Sequence, residues 1–280
     1  INSQNDLKII HEKLNLDIAL RALCKRYQKY PILTQKMTVL SLQFPEAFRK
    51  GLFCGWLSIV LAKQLEFNVD QTESAFLAGL AHDIGMLHID PEILKKEDEY
   101  TPEEWRAMQS HAVIGHLIVR NIPGMSKEIS NAILEHHERS DGTGYPNGKF
   151  AESLTRIGRI VALSDTLYPI RFKKFATDGR SLLDAIPIIQ LKRPDHFYDI
   201  YAAIALVCRS SNLTSKTIVE EEKMTEFINK QLADTPTLAL ACKVIIEIDN
   251  RLPDDEKRQI LIARNLTEKI CSSLKKSGLL

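Results

Sequence analysis

Histidines and carboxylates recur in this chain at intervals that would let it hold divalent metal. His82 and Asp83 stand together just before Gly85; His111 follows 29 residues after His82, with Gly115 one helical turn further on. His136-His137-Glu138 then run into Asp141-Gly142-Thr143-Gly144-Tyr145-Pro146, and Asp165 closes the set. Mixed imidazole and carboxylate donors suit iron, manganese, nickel or zinc. A carboxylate such as Asp83 can bridge two ions, and such a pair lowers the pKa of a shared water and clamps the attacking and leaving oxygens of an in-line displacement at phosphorus. Taken singly, each member is weak. A lone His-Asp pair arises by chance, and a histidine on an apolar helix face is more often a core histidine than a ligand. Asp141 to Gly148 also reads as a glycine-and-proline turn with a packed tyrosine. Two adjacent histidines before a glycine-rich turn shift the balance toward ligation. So does a carboxylate at the end of the apolar run Ile160 to Leu163, because its burial is costly unless it is paired or metal-bound.

The elements that must carry these groups are helices. Nearly every periodic segment has helical spacing, so the fold class expected is all-α. His82 and Asp83 end the apolar helical stretch Ala75 to Ala81, where Gly85 readily stops a helix. His136 follows Ile129 and Ile133 on the face those residues bury. An amphipathic helix is expected from roughly Asp6 to Tyr30, stopped by Pro31. This gives residues 1–36 as an N-terminal helical segment, 37–213 as the domain holding the chemistry, and 214–280 as a C-terminal helical segment reached through the polar tract Ser210 to Ser215. Pro253 to Glu256 signals a further helix start, and Ile262, Leu266, Ile270 and Leu274 form an apolar stripe. The stripe is expected to pack on its own domain in the first place, and in a homo-oligomer or partner interface in the second.

Composition narrows the partners. The chain has 280 residues, 44% apolar and 26% charged, with 12 Gly and 11 Pro, which describes an ordinary globular protein. A net charge of +1 gives no bulk electrostatic case for nucleic acid or an anionic membrane surface, so any nucleotide must be caught by a local site. The five cysteines are far apart and form no Cys-x-x-Cys pair; they read as small buried hydrophobes in a reducing cytosol. The longest apolar run, Leu52 to Ala62, falls well short of the ~20 residues of a membrane span. No signal peptide precedes it. A start at Ile1 instead of Met is compatible with a fragment whose longer form adds a sensory or membrane region.

The motif residues resemble one family closely, the HD-GYP metal-dependent phosphodiesterases. The likeness runs from about Glu46 to Phe197. Leu80 to Gly115 is similar to the family's His-Asp-Ile-Gly-Lys segment and its continuation through Ile93-Leu94, Lys96, Thr101, Glu103-Glu104-Trp105, Met108 and His111. His136 to Pro146 fits the His-His-Glu-x-x-Asp-Gly-x-Gly-Tyr-Pro signature at every specified position, and Arg159-Ile160 and Asp165 follow in place. The resemblance implies a bacterial, cytoplasmic protein with a helical HD domain plus extra N- and C-terminal helices. It implies hydrolysis of cyclic di-GMP to pGpG or GMP. By resemblance His82, Asp83, His111, His136, His137 and Asp165 are metal ligands, with Asp83 bridging and catalytic. Tyr145 and Gly144 belong to a loop that borders the substrate and can meet a protein partner, for example a GGDEF-type diguanylate cyclase domain. Arg171 and Lys174, with Lys173, loosely match the basic residues that face substrate, and read equally as a solvated basic turn.

Two positions depart from the pattern. Active members carry a histidine ligand about 32 residues before the His-Asp pair, often with a glutamate one turn earlier; here Lys50 and Glu46 occupy those places. No histidine lies between His11 and His82. A lysine must lose a proton to ligate metal, at a cost of about 4–5 kcal/mol at neutral pH, and left charged it would repel a neighbouring cation or stand in for it. Met86 replaces the motif lysine, a change worth roughly 10²–10³ in rate if that lysine faces phosphate. The expected metal content is therefore two ions or fewer per chain: one on His82, Asp83 and Asp165, the other on Asp83, His111, His136 and His137. Two functions stay open, a cyclic di-GMP phosphodiesterase with an altered binuclear site, and a degenerate module that binds cyclic di-GMP, one metal or a protein without hydrolysis. The retained ligands favour the first, Lys50 and Met86 the second. A phosphohydrolase for another nucleotide is weakened by the complete Gly-Tyr-Pro signature.

Overall fold

A computed structural model of the chain describes residues 5–96, 98–175, 180–192 and 198–213. Over these residues the chain is all-α, as its periodicity predicts: eleven α-helices and no strand. One compact unit holds Ile1–Ser140 and Gly144–Lys216; the turn Asp141–Thr143 groups apart from it. The C-terminal segment 214–280, with its Pro253 start signal, its apolar stripe, Cys242 and Cys271, lies outside the described residues.

The amino-terminal part is two helices where one is expected. Helices α1 (Asn5–Lys13) and α2 (Leu16–Tyr27) are separated at Asn15, which sits in the left-handed region with φ 50°. Asparagine is among the few residues with a side chain that enters this region readily. Pro31 opens the next helix, α3 (Pro31–Gln43), at a first-turn position where its missing N–H costs nothing. That helix runs unbroken through residue 36, and the buried Leu7, Ile10, Leu16, Leu23 and Leu33 join the same core as the rest of the unit.

The centre of the bundle is α4 (Pro45–Gln64), buried almost continuously from Phe53 to Ala62, as a helix that is apolar all round must be. It packs along α5 (Val69–Ala81), which starts with a capping box made by Asn68 and Gln71. The two backbones touch. A Cβ on Gly51 would run into the Leu80 carbonyl, and one on Gly79 would come within 2.7 Å of the Cys54 carbonyl oxygen. A short 3₁₀ turn, Ile84–His88, and the small helix α6 (Pro91–Lys95) lead to α7 (Pro102–Arg120), whose start carries a second capping box, Thr101 with Glu104. Helices α8 (Lys127–Glu135) and α9 (Arg156–Pro169) begin on the caps Ser126 and Thr155 and complete the wall around α4 and α5. Beyond α9, one turn of π-helix at Ile170–Lys174 precedes α10 (Leu182–Lys192) and α11 (Tyr198–Ser210).

Candidate metal centre

The six ligands of the expected set are delivered from four places in the bundle. His82 caps the C-terminus of α5 and Asp83 follows it; His111 sits inside α7; His136 caps α8 and His137 is next; Asp165 projects from α9. The imidazoles are aimed by their own backbone. Nδ1 of His82, His111 and His136 donates to the carbonyl three residues earlier, Gly79 at 2.8 Å, Met108 at 2.6 Å and Ile133 at 2.6 Å. A carbonyl only accepts, so each Nδ1 carries the proton and each Nε2 points inward, the arrangement by which outer hydrogen bonds orient ligating histidines.

The inward atoms converge. His111 Nε2 lies 3.2 Å from His136 Nε2, and these two lie 3.6 and 3.9 Å from Asp83 Oδ1. Candidate ligand atoms of His111, His136 and His137 all fall within 4.8 Å of one another, as do those of His82, Asp83 and His136. Asp83 Oδ1, the oxygen turned toward His111 and His136, is buried without a hydrogen-bond partner among the described residues. Buried polar atoms are rarely left so, and a carboxylate oxygen facing the Nε2 atoms of two imidazoles is what a divalent ion satisfies. The residues present therefore fit metal.

Electrostatics divides the centre into two sides. On one side burial dominates. It holds His111 below its ordinary value, pushes His136 well below, and takes His137 down to about 3 with help from His111 and Lys50 against Asp165. These are neutral imidazoles, ready to ligate. On the other side, Lys50 Nζ reaches Asp83 Oδ2 at 2.7 Å and Asp165 Oδ1 at 2.8 Å. Burial opposes the charge of Lys50, yet Asp165 and Asp83 hold its ammonium well above the ordinary value. The two carboxyls are correspondingly held well below theirs, Asp83 by His82 and Lys50, Asp165 by Lys50 first. His82 Nε2 sits 3.2 and 3.4 Å from the same two oxygens, and Asp83 above all raises it to about 9 in spite of burial.

This centre forms the floor of a cleft of about 950 Å³, within the range of ordinary ligand pockets. Met86 and Met108 give the cleft an apolar stretch, Arg139 and Lys173 give it cations, and Trp105 and Tyr145 give it aromatic surface. The Tyr145 ring stacks on His137 at 4.6 Å and meets Trp105 edge-on at 6.2 Å, while Trp105 stacks with Tyr100. Burial, with Asp165 and Asp83, pushes the Tyr145 phenol well up, so it remains a hydrogen-bond donor. Two buried glutamates anchor the loop that carries it. Glu138 accepts from the backbone N–H of Asn147 at 2.8 Å and of Lys149 at 2.9 Å; Glu135 accepts from Thr155 N–H, Thr155 Oγ1 and Lys149 Nζ. Gly144 is required by closeness, because a Cβ there would run into the backbone of Glu138 and Arg139.

The expected site residues thus meet, with two exceptions. Arg171 is not in the cleft: its guanidinium is buried and paired in bidentate fashion with Asp6, Nε to Oδ2 at 2.9 Å and Nη2 to Oδ1 at 2.7 Å. Lys174 is exposed and lines no part of the cleft, whereas its neighbour Lys173 does. Glu46 is engaged by Tyr168 Oη at 3.1 Å and by Arg49. The anchoring role of Glu135 was not signalled in the sequence, since its partners lie 14 and 20 residues away.

A helical bundle that gathers histidine and aspartate donors from separate helices at the floor of a cleft defines a metal-dependent HD-type domain. The profile of the HD domain family matches residues 40–200, more than half of the chain, and the chain belongs to that family. Its complete Gly-Tyr-Pro signature resembles that of the HD-GYP proteins. Over 130 residues it is 36% identical to a 3′3′-cGAMP-specific phosphodiesterase of Vibrio cholerae, covering 46% of this chain and 30% of that one. It is 34% identical over 130 residues to a cyclic di-GMP phosphodiesterase of Pseudomonas aeruginosa, covering 46% and 31%. The chain spans about 30% of the length of these relatives. Among solved structures it resembles Bd1817, described as an HDG"Y"P protein from Bdellovibrio bacteriovorus, with a TM-score of 0.50 at 18% identity over 74% of this chain and 69% of that one, a likeness of fold.

Proposed function

We propose that this chain is the phosphohydrolase module of a metal-dependent cyclic dinucleotide phosphodiesterase, with cyclic di-GMP as its substrate and pGpG or GMP as its product. The observation that carries the reading is the convergence of His111, His136, His137 and Asp83 beneath a cleft bordered by Tyr145 and Trp105. The curated relatives act on cyclic di-GMP or 3′3′-cGAMP, which supports the substrate class. A bound divalent ion, iron, manganese, nickel or zinc, would supply Lewis acidity and an activated water at the scissile phosphate.

The chain's own residues do the rest. His111, His136 and His137 are neutral, and Nδ1 bonds fix the rings of His111 and His136 with Nε2 inward. Asp83 directs Oδ1 toward these histidines and Oδ2 toward Lys50, and so couples the two sides of the centre. Arg139 and Lys173 place positive charge along the cleft, which suits a ligand with two phosphodiesters in a protein of nearly neutral net charge. Aromatic rings at Trp105 and Tyr145 suit purine bases, for which stacking is worth ~1–3 kcal/mol each. The loop around Tyr145 is also the surface through which a protein partner would be met.

The test is incubation of the protein, loaded in turn with manganese, iron and zinc, with cyclic di-GMP and with 3′3′-cGAMP, followed by chromatography and by calorimetric binding. Appearance of linear product supports the reading. Binding of cyclic dinucleotide with no turnover would replace it with a receptor built on the same fold, and absence of both at full metal loading would overturn it.

A further inference from the structure

The position of Lys50 sets the metal content of the centre. Two ions are the natural complement of the ligand set: one on His82, Asp83 and Asp165, one on Asp83, His111, His136 and His137. The first of these positions is filled by the protein itself. Lys50 Nζ contacts Asp83 Oδ2 at 2.7 Å and Asp165 Oδ1 at 2.8 Å, and the third member, His82 Nε2, lies 3.2 and 3.4 Å from the same oxygens. An ammonium and a dication cannot both take the inward lone pairs of these two oxygens. The side chain is held there from behind, because Gly51 brings the backbone of α4 against that of α5 next to the residue that carries it.

The second position has ligand atoms at the spacing of an ion site. With metal–nitrogen bonds of about 2.0–2.1 Å, tetrahedral ligands stand roughly 3.3 Å apart. His111 and His136 Nε2 are 3.2 Å apart and lie 3.6 and 3.9 Å from Asp83 Oδ1, so sub-ångström adjustments bring these three to ligand spacing, and a ligand atom of His137 lies within 4.8 Å of those of the two histidines.

We propose that the Lys50 ammonium is a built-in cation standing in one of two metal positions, so that the chain holds a single divalent ion, on His111, His136, His137 and Asp83. The inference deepens the function proposed above and shares with it the presence of metal, not the identity of the substrate.

The experiment is metal counting on the full chain. Natural protein and Lys50→His, each shown folded by circular dichroism, are saturated with manganese or zinc, freed of excess by gel filtration and analysed by mass spectrometry. One ion per natural chain and two per Lys50→His chain are expected. Two ions on the natural chain, none on it, or no gain in a folded Lys50→His overturns the proposal. Lys50→Met provides an independent readout, since it keeps the length and removes the charge. In chelator it should melt roughly 10 °C below the natural chain, from two carboxylates left without their cation. Saturating manganese should close that gap by filling the vacated position. Equal melting of the two proteins in chelator, or a gap that manganese leaves unchanged, overturns the proposal. The outcomes separate from those of the functional test. Two ions with hydrolysis sinks the role of Lys50 alone, and one ion with neither binding nor hydrolysis of cyclic dinucleotide sinks the substrate reading alone.

Discussion

At the scale of single residues, the cleft separates groups that would hold metal from groups that would hold substrate. Trp105 keeps 45% of its surface exposed, stacks with Tyr100 and faces Tyr145, so it contributes little to the core. Trp105→Ala is expected to weaken cyclic di-GMP binding by about 5- to 150-fold, the equivalent of ~1–3 kcal/mol of stacking, with little change in melting temperature. Calorimetric titration beside a thermal melt checks both halves. His136 is the reverse case: fully buried, with its Nδ1 committed to Ile133. His136→Ala is expected to abolish metal retention as read by elemental analysis. The candidate ligands were legible through their resemblance to the HD-GYP pattern, since a single histidine on an apolar helix face is more often a core residue than a ligand. The assignment of Arg171 was not, because its partner Asp6 lies 165 positions away, and a basic residue carries no local mark of whether it faces substrate or a buried acid.

At the scale of elements, the Gly-Tyr-Pro loop is held by buried carboxylates and by backbone closeness more than by packing. Gly144 leaves no room for a methyl group against the His137–Arg139 backbone. Gly144→Ala therefore has to move the loop, and is expected to carry Tyr145 off His137. The measurable result is loss of cyclic di-GMP binding with metal content retained, and destabilisation of ~1–3 kcal/mol by urea titration. Two of the helices that deliver ligands begin on capping boxes, Asn68 with Gln71 and Thr101 with Glu104, whose partners stand three residues apart in the chain. The break between α1 and α2 was not legible in the sequence. Leucine, lysine and aspartate continue a helical pattern across it, and only the left-handed conformation of Asn15 interrupts the hydrogen-bond ladder. Pro31 was ambiguous for a related reason, because a proline that closes one helix is equally suited to open the next.

At the scale of the whole molecule, the amino-terminal helices are part of the domain's architecture. Leu7 and Ile10 belong to the common core, and Asp6 is clamped by Arg171 and by the N–H of Leu182, tying the first helix to the segment after α9. Arg171→Ala would leave a buried carboxylate without its cation. A loss of about 3–5 kcal/mol of stability is expected, read by chemical denaturation, with the metal content of the folded protein unchanged. No helix among the described residues is long and apolar enough to cross a membrane. The contact between Gly51 on α4 and Leu80 on α5 adds a consequence for how such a centre changes over time. It fixes the address of residue 50 independently of what side chain is written there, so ion stoichiometry becomes a property of one codon, open to exchange in either direction while the scaffold stays as it is.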